Sequence, residues 1–210
     1  MSLTIKNNVS AEIVEKKSKF IANIFYVQTE KEAEERIKEI RKKYHDAKHH
    51  CFAYSIMQKD SILNRMSDDG EPSGTAGMPI LNILMKKDLV NVLVVVTRYF
   101  GGILLGTGGL VKAYTDVTLS ALEKASYLNE ELGYEMELIL EYQDFEKLQY
   151  YLQKNNISIV NVEYNEKINC KIELTNEEKE KILKCAKDGS LVLQKCTVLQ
   201  EKLIKKFVDK

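Results

Sequence analysis

The run "LVNVLVVVT" at residues 89–97 constrains the fold of this chain more than any other segment. It is apolar at almost every position, whereas a strand with one face in solvent alternates apolar and polar residues. We therefore expect a central strand that is covered on both faces of its sheet. A helical pattern follows from about Thr107 to Ala125, and the residues predicted to form its buried stripe are Leu110, Ala113, Tyr114, Val117 and Ala121.

The segments before this strand also show clear strand and helix patterns. Residues 11–27 are rich in β-branched and aromatic side chains and are interrupted by a charged turn at Lys16 to Ser18, which predicts a β-hairpin. Thr29 and Glu32 have the spacing of a capping box, so a helix is expected from about Glu30 to Tyr44.

Two further strands and a helix are predicted between residues 49 and 87. The strands are "HHCFAYSIM" and "ILNRMS". The helix is expected to begin at Thr75, because Pro79 is tolerated in a first turn and Ile80, Leu84 and Met85 have the spacing of one face.

The character of the chain changes after Leu128, where glycine becomes rare and proline is absent. The pattern from there is strand, helix, strand, strand, helix, strand, which is typical of a ferredoxin-like domain. Thr175 and Glu178 offer a second capping box. The sequence therefore predicts an α+β protein with an N-terminal domain over residues 1–130 and a ferredoxin-like βαββαβ domain over residues 131–210.

Composition excludes several classes of function. The 210 residues carry 31 basic and 31 acidic side chains, so no global positive field draws the protein to nucleic acid or to an anionic membrane. The four cysteines, Cys51, Cys170, Cys185 and Cys196, form no C-x-x-C pair, which argues against zinc knuckles and redox motifs. No apolar stretch approaches the roughly 20 residues of a membrane span. We predict a cytoplasmic protein with no cofactor, no metal and no membrane partner.

Glycine is concentrated in one window of the chain. Eight of the ten glycines and both prolines lie between residues 70 and 109, so any functional site is expected there. The first loop of this window is "SDDGEPSGTAG", whose composition is typical of turns and in which Ser73 or Thr75 would cap the next helix. The candidates for acid–base catalysis are His49, Asp68, Asp69 and Glu71.

The second loop joins the apolar strand to the helix that follows it. The N–H groups of a first helical turn and the helix dipole can hold an anion, and Lys112 is expected within that turn. The glycine spacing is neither that of a P-loop nor that of a dinucleotide fingerprint, and close packing of helix on sheet remains an alternative reason for the glycines. The candidates for binding an anion or nucleic acid are Arg98, Tyr99, Gly101, Gly102, Gly106, Thr107, Gly108, Gly109, Lys112 and Tyr114.

Four motifs, in this order, resemble the IMPACT/YigZ family. They are "KKSKFIA" at 16–22, "DAKHHCFAY" at 46–54, "SDDGEPSGTAG" at 67–77 and "VVVTRYFGGILLGTGGLVKAY" at 94–114. The last contains the signature of that family, R-[YFW]-[YFW]-G-G-x-x-[LIVM]-G, at Arg98 to Gly106. The C-terminal third resembles the smaller domain of the two-domain bacterial members, more by topology than by motif.

The resemblance implies a first domain similar to the second domain of a small-subunit ribosomal protein, and a second domain similar to the ferredoxin-like domains of elongation factor G. Eukaryotic relatives are translational regulators that compete for the activator of a stress-responsive kinase. Bacteria lack that kinase pathway, so only the broader theme of translation or RNA-associated binding carries over to a bacterial member.

Three hypotheses for function follow. The first is a translation-associated regulatory protein that contacts RNA, the ribosome or a translation factor through the glycine-rich face, with Arg98 and Lys112 meeting phosphate. The second is an enzyme that acts on a phosphorylated or carboxylated small molecule at the same face. The third is a protein–protein adaptor in which the glycine loops are purely structural.

Overall fold

The computed structural model describes residues 2–59 and 61–207. Within them the chain forms two compact units, which divide between Asn129 and Glu130 inside a long strand. The first unit contains α1 (Glu30–Lys43), α2 (Gly77–Lys86) and α3 (Gly106–Leu122), with β1 (Ser2–Ile5), β2 (Val9–Glu15), β3 (Ser18–Tyr26), β4 (His49–Met57), β5 (Ile62–Ser67) and β6 (Val92–Tyr99). The dividing strand is β7 (Tyr127–Leu140), and the second unit continues with α4 (Tyr142–Lys154), β8 (Ser158–Tyr164), β9 (Ile168–Thr175), α5 (Asn176–Lys187) and β10 (Lys195–Phe207).

The apolar run forms β6, the central strand of a five-stranded antiparallel sheet with the order β2-β3-β6-β4-β5. Side chains on the two faces of β6 enter different cores, as expected for a strand of period two. Val94 and Val96 pack with buried residues of α2 and α3, whereas Leu93 and Val95 pack with those of α1. The prediction of a strand covered on both faces is confirmed, as is the buried stripe predicted for α3.

The start of α1 is capped almost as predicted. The Thr29 hydroxyl accepts a hydrogen bond from the Glu32 backbone N–H at 3.2 Å, which satisfies one of the free donors of the first turn. The Glu32 carboxylate accepts from the N–H of Gln28 at 2.7 Å, where a full capping box would use the N–H of Thr29. The helix ends at Lys43, one residue before the predicted Tyr44, which is its C-cap.

The start of α2 differs from the prediction. The helix begins at Gly77 instead of Thr75, and neither Ser73 nor Thr75 caps it. One carboxylate oxygen of Asp68 accepts the N–H groups of Ala76 and Gly77 at 2.9 and 2.8 Å, so a residue from the preceding loop satisfies these donors.

The exposed side of α2 also differs from the prediction. The sequence predicts one helix face shared by Met85 with Ile80 and Leu84. Those two side chains are buried, but Met85 is 54% exposed because it lies beyond the edge of their stripe.

The second unit has the predicted βαββαβ order. Its strands lie in the order β10-β7-β9-β8, with β9 antiparallel to both of its neighbours, which is the ferredoxin-like arrangement. Helices α4 and α5 contribute Leu148 and Ile182 to its core, and Thr175 and Glu178 form the predicted capping box. The α+β fold class is therefore confirmed.

Candidate functional site

The two glycine-rich loops meet through a buried ion pair. The Arg98 guanidinium, at the end of β6, donates to both carboxylate oxygens of Glu71 at 2.7 and 2.9 Å. Arg98 is 6% exposed and Glu71 is 8% exposed. Two buried charges at this distance are stable mainly because each compensates the other, so removal of one partner would leave an unpaired buried charge.

Tyr114, on the inner face of α3, extends this pair. Its hydroxyl donates to the Glu71 carboxylate at 2.9 Å, and the Cys51 thiol donates to the Tyr114 hydroxyl at 3.2 Å. Burial raises the pKa of Cys51 to about 12 and raises the pKa of Tyr114 as well. Both groups therefore stay protonated near neutral pH, and Cys51 is not an activated nucleophile. We name Arg98, Glu71, Tyr114 and Cys51 the buried polar cluster.

The two aspartates of the first loop, Asp68 and Asp69, accept hydrogen bonds from backbone N–H groups, and Asp69 also pairs with a helix residue. The second oxygen of Asp68 accepts the Gly74 N–H at 2.8 Å, so both of its oxygens serve the turn before α2. Asp69 accepts the backbone N–H of His50 at 2.6 Å and pairs with Arg41 of α1 at 2.6 Å. These bonds tie the loop to the end of β4 and to the last turn of α1.

The neighbouring histidines face different partners, as adjacent residues on a strand must. The Nδ1 atom of His49 lies 2.9 Å from the Asp69 carbonyl oxygen, and that of His50 lies 3.1 Å from the Thr97 hydroxyl. Burial lowers the pKa of His50. The four catalytic candidates His49, Asp68, Asp69 and Glu71 thus lie in one region, but each makes hydrogen bonds within the fold.

The parts of the chain that the structure describes contain no group of three or more metal-ligating side chains that could hold an ion. One pocket of about 190 Å³ lies at the end of α2 and β5, where it is lined by residues such as Leu84, Asp88 and Asn64. It includes none of the candidate residues.

The loop after β6 turns large apolar side chains outward. Leu104 is 82% exposed and Phe100 is 54% exposed, and Ile103 is also exposed. Gly102 and Gly106 have φ values of +84° and +72°, which L side chains rarely adopt, so these two glycines shape the loop. Sequence reasoning missed Ile103 and Leu104, although the unbroken apolar triplet "ILL" between Gly102 and Gly106 is a signal that could have indicated them.

The hairpin turn between β2 and β3 lies directly against this loop. A Cβ atom on Gly101 would lie 2.0 Å from the backbone carbon of Lys17, so only glycine allows the approach. The Gly101 N–H donates to the Ser18 hydroxyl at 3.1 Å. Lys16 and Lys17, at the turn, are exposed. We name Lys16, Lys17, Phe100, Ile103 and Leu104 the basic–apolar tip.

The ten binding candidates separate into exposed and buried groups. Gly102, Gly106, Thr107, Gly108 and Lys112 are exposed, whereas Arg98 and Tyr114 belong to the buried polar cluster. Tyr99 donates its hydroxyl to Asp46 at 2.7 Å, and Gly101 and Gly109 are partly buried. Phosphate at the surface would therefore not reach Arg98 while Glu71 holds it. The anion-binding role of the ten residues stays a prediction.

The start of α3 differs in one respect from the prediction. Its N-cap, Leu105, makes no side-chain capping bond, and the first turn contains no acidic residue. The helix begins at Gly106, so Lys112 lies in the second turn and not in the first. The charge of Lys112 therefore opposes the helix dipole less than expected, because the dipole effect falls off within one turn.

Comparison with known proteins identifies the family to which this chain is similar. Residues 16–122 match the family described as the Impact N-terminal domain. This chain belongs to the IMPACT family. Its second unit carries a match, over residues 138–184, to a domain described as of unknown function, DUF1949. The match to the first domain begins after β2 and covers β3 to β6, the buried polar cluster and all three helices of the first unit.

Bacterial relatives in this family align with most of this chain. The chain is 40% identical over 177 residues to the IMPACT family member YvyE of Bacillus subtilis (strain 168). This alignment covers 84% of this chain and 80% of that protein. It is 38% identical over 150 residues to the IMPACT family member YigZ of Escherichia coli (strain K12). This alignment covers 71% of this chain and 74% of that protein. A crystal structure of a hypothetical protein aligns with a TM-score of 0.63 at 32% identity, over 96% of this chain and 98% of that one. The two-domain architecture is thus shared with bacterial IMPACT family members.

No helix among the described residues is both long and apolar enough to cross a bilayer.

Proposed function

We propose that this IMPACT family member is a translation-associated regulatory protein that binds its partner through the glycine-rich face of the N-terminal unit. The observation that carries the proposal is the basic–apolar tip, in which exposed Phe100, Ile103 and Leu104 belong to the loop whose Gly101 lies against the Lys16–Lys17 turn. Contiguous exposed apolar side chains on a folded domain mark interaction surfaces. The translational setting rests on the family resemblance, and the candidate partners are RNA, the ribosome and a translation factor.

The rigidity of the tip supports a binding role. Gly101 touches the hairpin backbone, and its N–H is held by Ser18. The Arg98 guanidinium lies 5.4 Å from the ring centre of Phe20 in the core and 5.6 Å from that of Phe100 in the tip. These contacts reduce the conformational entropy that Gly101 and Phe100 would lose on association, which favours affinity.

Catalysis has less support from the geometry. Asp68 and Asp69 are engaged with backbone N–H groups, and Glu71 is neutralised by Arg98. An acid–base catalyst must reach a proton on its substrate, whereas each of these carboxylates is directed toward a partner in the fold. The buried polar cluster is therefore assigned the role of holding the two loops in place.

Binding to purified ribosomal subunits, transfer RNA and translation factors would test the proposal. We expect one of these to bind the intact protein and the Leu104→Asp variant to bind at least about tenfold more weakly, since the variant places a charge in an apolar contact. Val192→Asp is the matched control, because Val192 is 51% exposed and lies in the second unit. Both variants should keep the melting temperature of the wild type, as exposed substitutions usually do.

Two outcomes would contradict the proposal. One is that none of these purified components binds the intact protein. The other is that Leu104→Asp and Val192→Asp weaken binding equally, since the contact would then not depend on the tip.

A further inference from the structure

We infer that the basic–apolar tip accepts an acidic peptide segment that also carries apolar side chains, in preference to a nucleic acid. This inference rests on the proposed function and names the chemistry of the partner. It draws on three features of the tip, which are its strained lysines, the absence of ion pairs between those lysines and other described residues, and the shape of its apolar side chains.

The first feature is the backbone of the hairpin turn. Lys16 and Lys17 both have positive φ, at 45° and 66°, between the paired residues Glu15 and Ser18. A two-residue turn of this kind is strongly favoured with Asn-Gly, because L side chains with a Cβ clash in the left-handed region. Two lysines at these positions make the turn less stable than an Asn-Gly pair would. Backbone strain of this kind concentrates at functional sites.

The second feature is that the two ammonium groups are available. Neither Lys16 nor Lys17 forms an ion pair with another residue in the described parts of the chain, whereas the next lysine, Lys19, pairs with Glu12 at 2.7 Å. The cations at the turn therefore have no role in the stability of the fold that the structure shows. Their charge is directed to solvent beside an apolar surface, where it can select a negatively charged partner.

The third feature distinguishes peptide from nucleic acid. Single-stranded nucleic acid binds by stacking its bases on flat rings and by contacting many phosphates. The tip offers one ring, Phe100, together with the aliphatic side chains Ile103 and Leu104. Aliphatic side chains pack well against leucine, isoleucine or phenylalanine of a peptide, while carboxylates on the same segment would meet Lys16 and Lys17.

The charge of the whole chain supports the same choice. The formal net charge is zero, so no long-range field concentrates a polyanion at this face. Two cations beside three apolar side chains match a segment with a few carboxylates and a few apolar residues. Charge complementarity and exposed apolar area therefore both favour an acidic, amphipathic peptide.

Fluorescence anisotropy with three labelled probes tests the inference. The probes are a short peptide that alternates glutamate pairs with leucine and phenylalanine, the same peptide with lysine in place of glutamate, and oligouridine. We expect the acidic peptide to bind most tightly, with an affinity that falls as salt is added. Leu104→Asp should weaken this binding at least about tenfold, and Val192→Asp should leave it unchanged.

The double variant Lys16→Asn/Lys17→Gly separates function from stability. It places the preferred residues in the turn, so its melting temperature should rise by several degrees, while its affinity for the acidic peptide should fall about tenfold. If the lysines had a purely structural role, the double variant would not combine a higher melting temperature with a lower affinity for the acidic peptide. A rise in melting temperature with unchanged affinity would overturn the inference.

The remaining outcomes distinguish the inference from the proposed function. Tighter binding of oligouridine than of the acidic peptide, or equal binding of the two peptides, would overturn the acidic-peptide inference. If ribosomal components still bind in a manner that depends on Leu104, the proposed function stands. If that dependence is also absent, both fail.

Discussion

At the end of β6, the buried polar cluster and the basic–apolar tip reverse the usual distribution of residues, in which charged side chains are exposed and large apolar side chains are buried. Two residues apart along the chain, Arg98 is buried and Phe100 is exposed. The buried polar cluster places charge inside the fold, and the basic–apolar tip places apolar side chains outside it. The difference teaches that polar composition alone does not identify a contact surface, because polar residues here support the loops and apolar residues face the solvent.

A physical dependence connects the two regions. The ion pair between Arg98 and Glu71 joins the strand end to the first loop, and Tyr114 adds α3 to the same carboxylate. The loop that presents Phe100 to Leu104 begins and ends on these elements. Disruption of the cluster is therefore expected to change stability and also the placement of Phe100, whereas substitution of the exposed Leu104 tests the proposed binding with little effect on stability.

The largest expected effect comes from Arg98→Met. This change leaves the Glu71 carboxylate buried without its cation, which should lower the free energy of unfolding by about 3–5 kcal/mol. Urea unfolding followed by circular dichroism measures it. The double variant Arg98→Met/Glu71→Leu should recover much of the loss, since both charges are then absent. A loss in the double variant as large as in the single one would contradict this account of the cluster.

A smaller effect is expected where the hairpin touches the glycine loop. Gly101→Ala places a methyl group against the Lys17 backbone and should lower the free energy of unfolding by about 1–3 kcal/mol. Gly108→Ala is the matched control, because a Cβ there meets nothing within 4 Å and alanine favours a helix by up to about 1 kcal/mol. Thermal unfolding should move in opposite directions for the two variants, and equal destabilisation would show that the close approach is not the cause.

The smallest effect concerns pH. Burial holds the pKa of His50 below its ordinary value of 6.5, with Arg41 and His49 acting in the same direction and Asp69 opposing them. Below about pH 6.5 the unfolded chain binds a proton at His50 more readily than the folded chain does. The contribution of neutral His50 to the free energy of unfolding is therefore fully present above pH 6.5 and is lost as the pH falls from there toward the lowered pKa of the folded state.

Urea midpoints at about pH 7.5 and about pH 5.5 measure this pH effect. The decrease between them should be smaller in His50→Asn than in the wild type. His45→Asn changes an exposed histidine and should leave the decrease unaltered. An unchanged decrease in His50→Asn would show that His50 is not its source.

Much of the fold could be predicted from local patterns. The unbroken apolar run of β6 required cover on both faces, and the spacing of Thr175 and Glu178 required a helix start, because both depend on residues close in sequence. The cap of α2 could not be predicted in this way. Asp68 lies eight residues before Ala76, and its carboxylate reaches that N–H only through the turn that the intervening loop forms.

The sequence by itself determined the two-unit α+β architecture and the family, and it predicted the window in which the candidate site is proposed. Periodicity and glycine placement act locally, so they can be recognised without coordinates. Only the tertiary structure decided the direction of each side chain in that window. Arg98 was predicted to meet a ligand, and it is Glu71, twenty-seven residues away in sequence, that occupies its guanidinium. The desolvation of a charge depends on which partner folding brings to it, and that partner lies outside any local pattern.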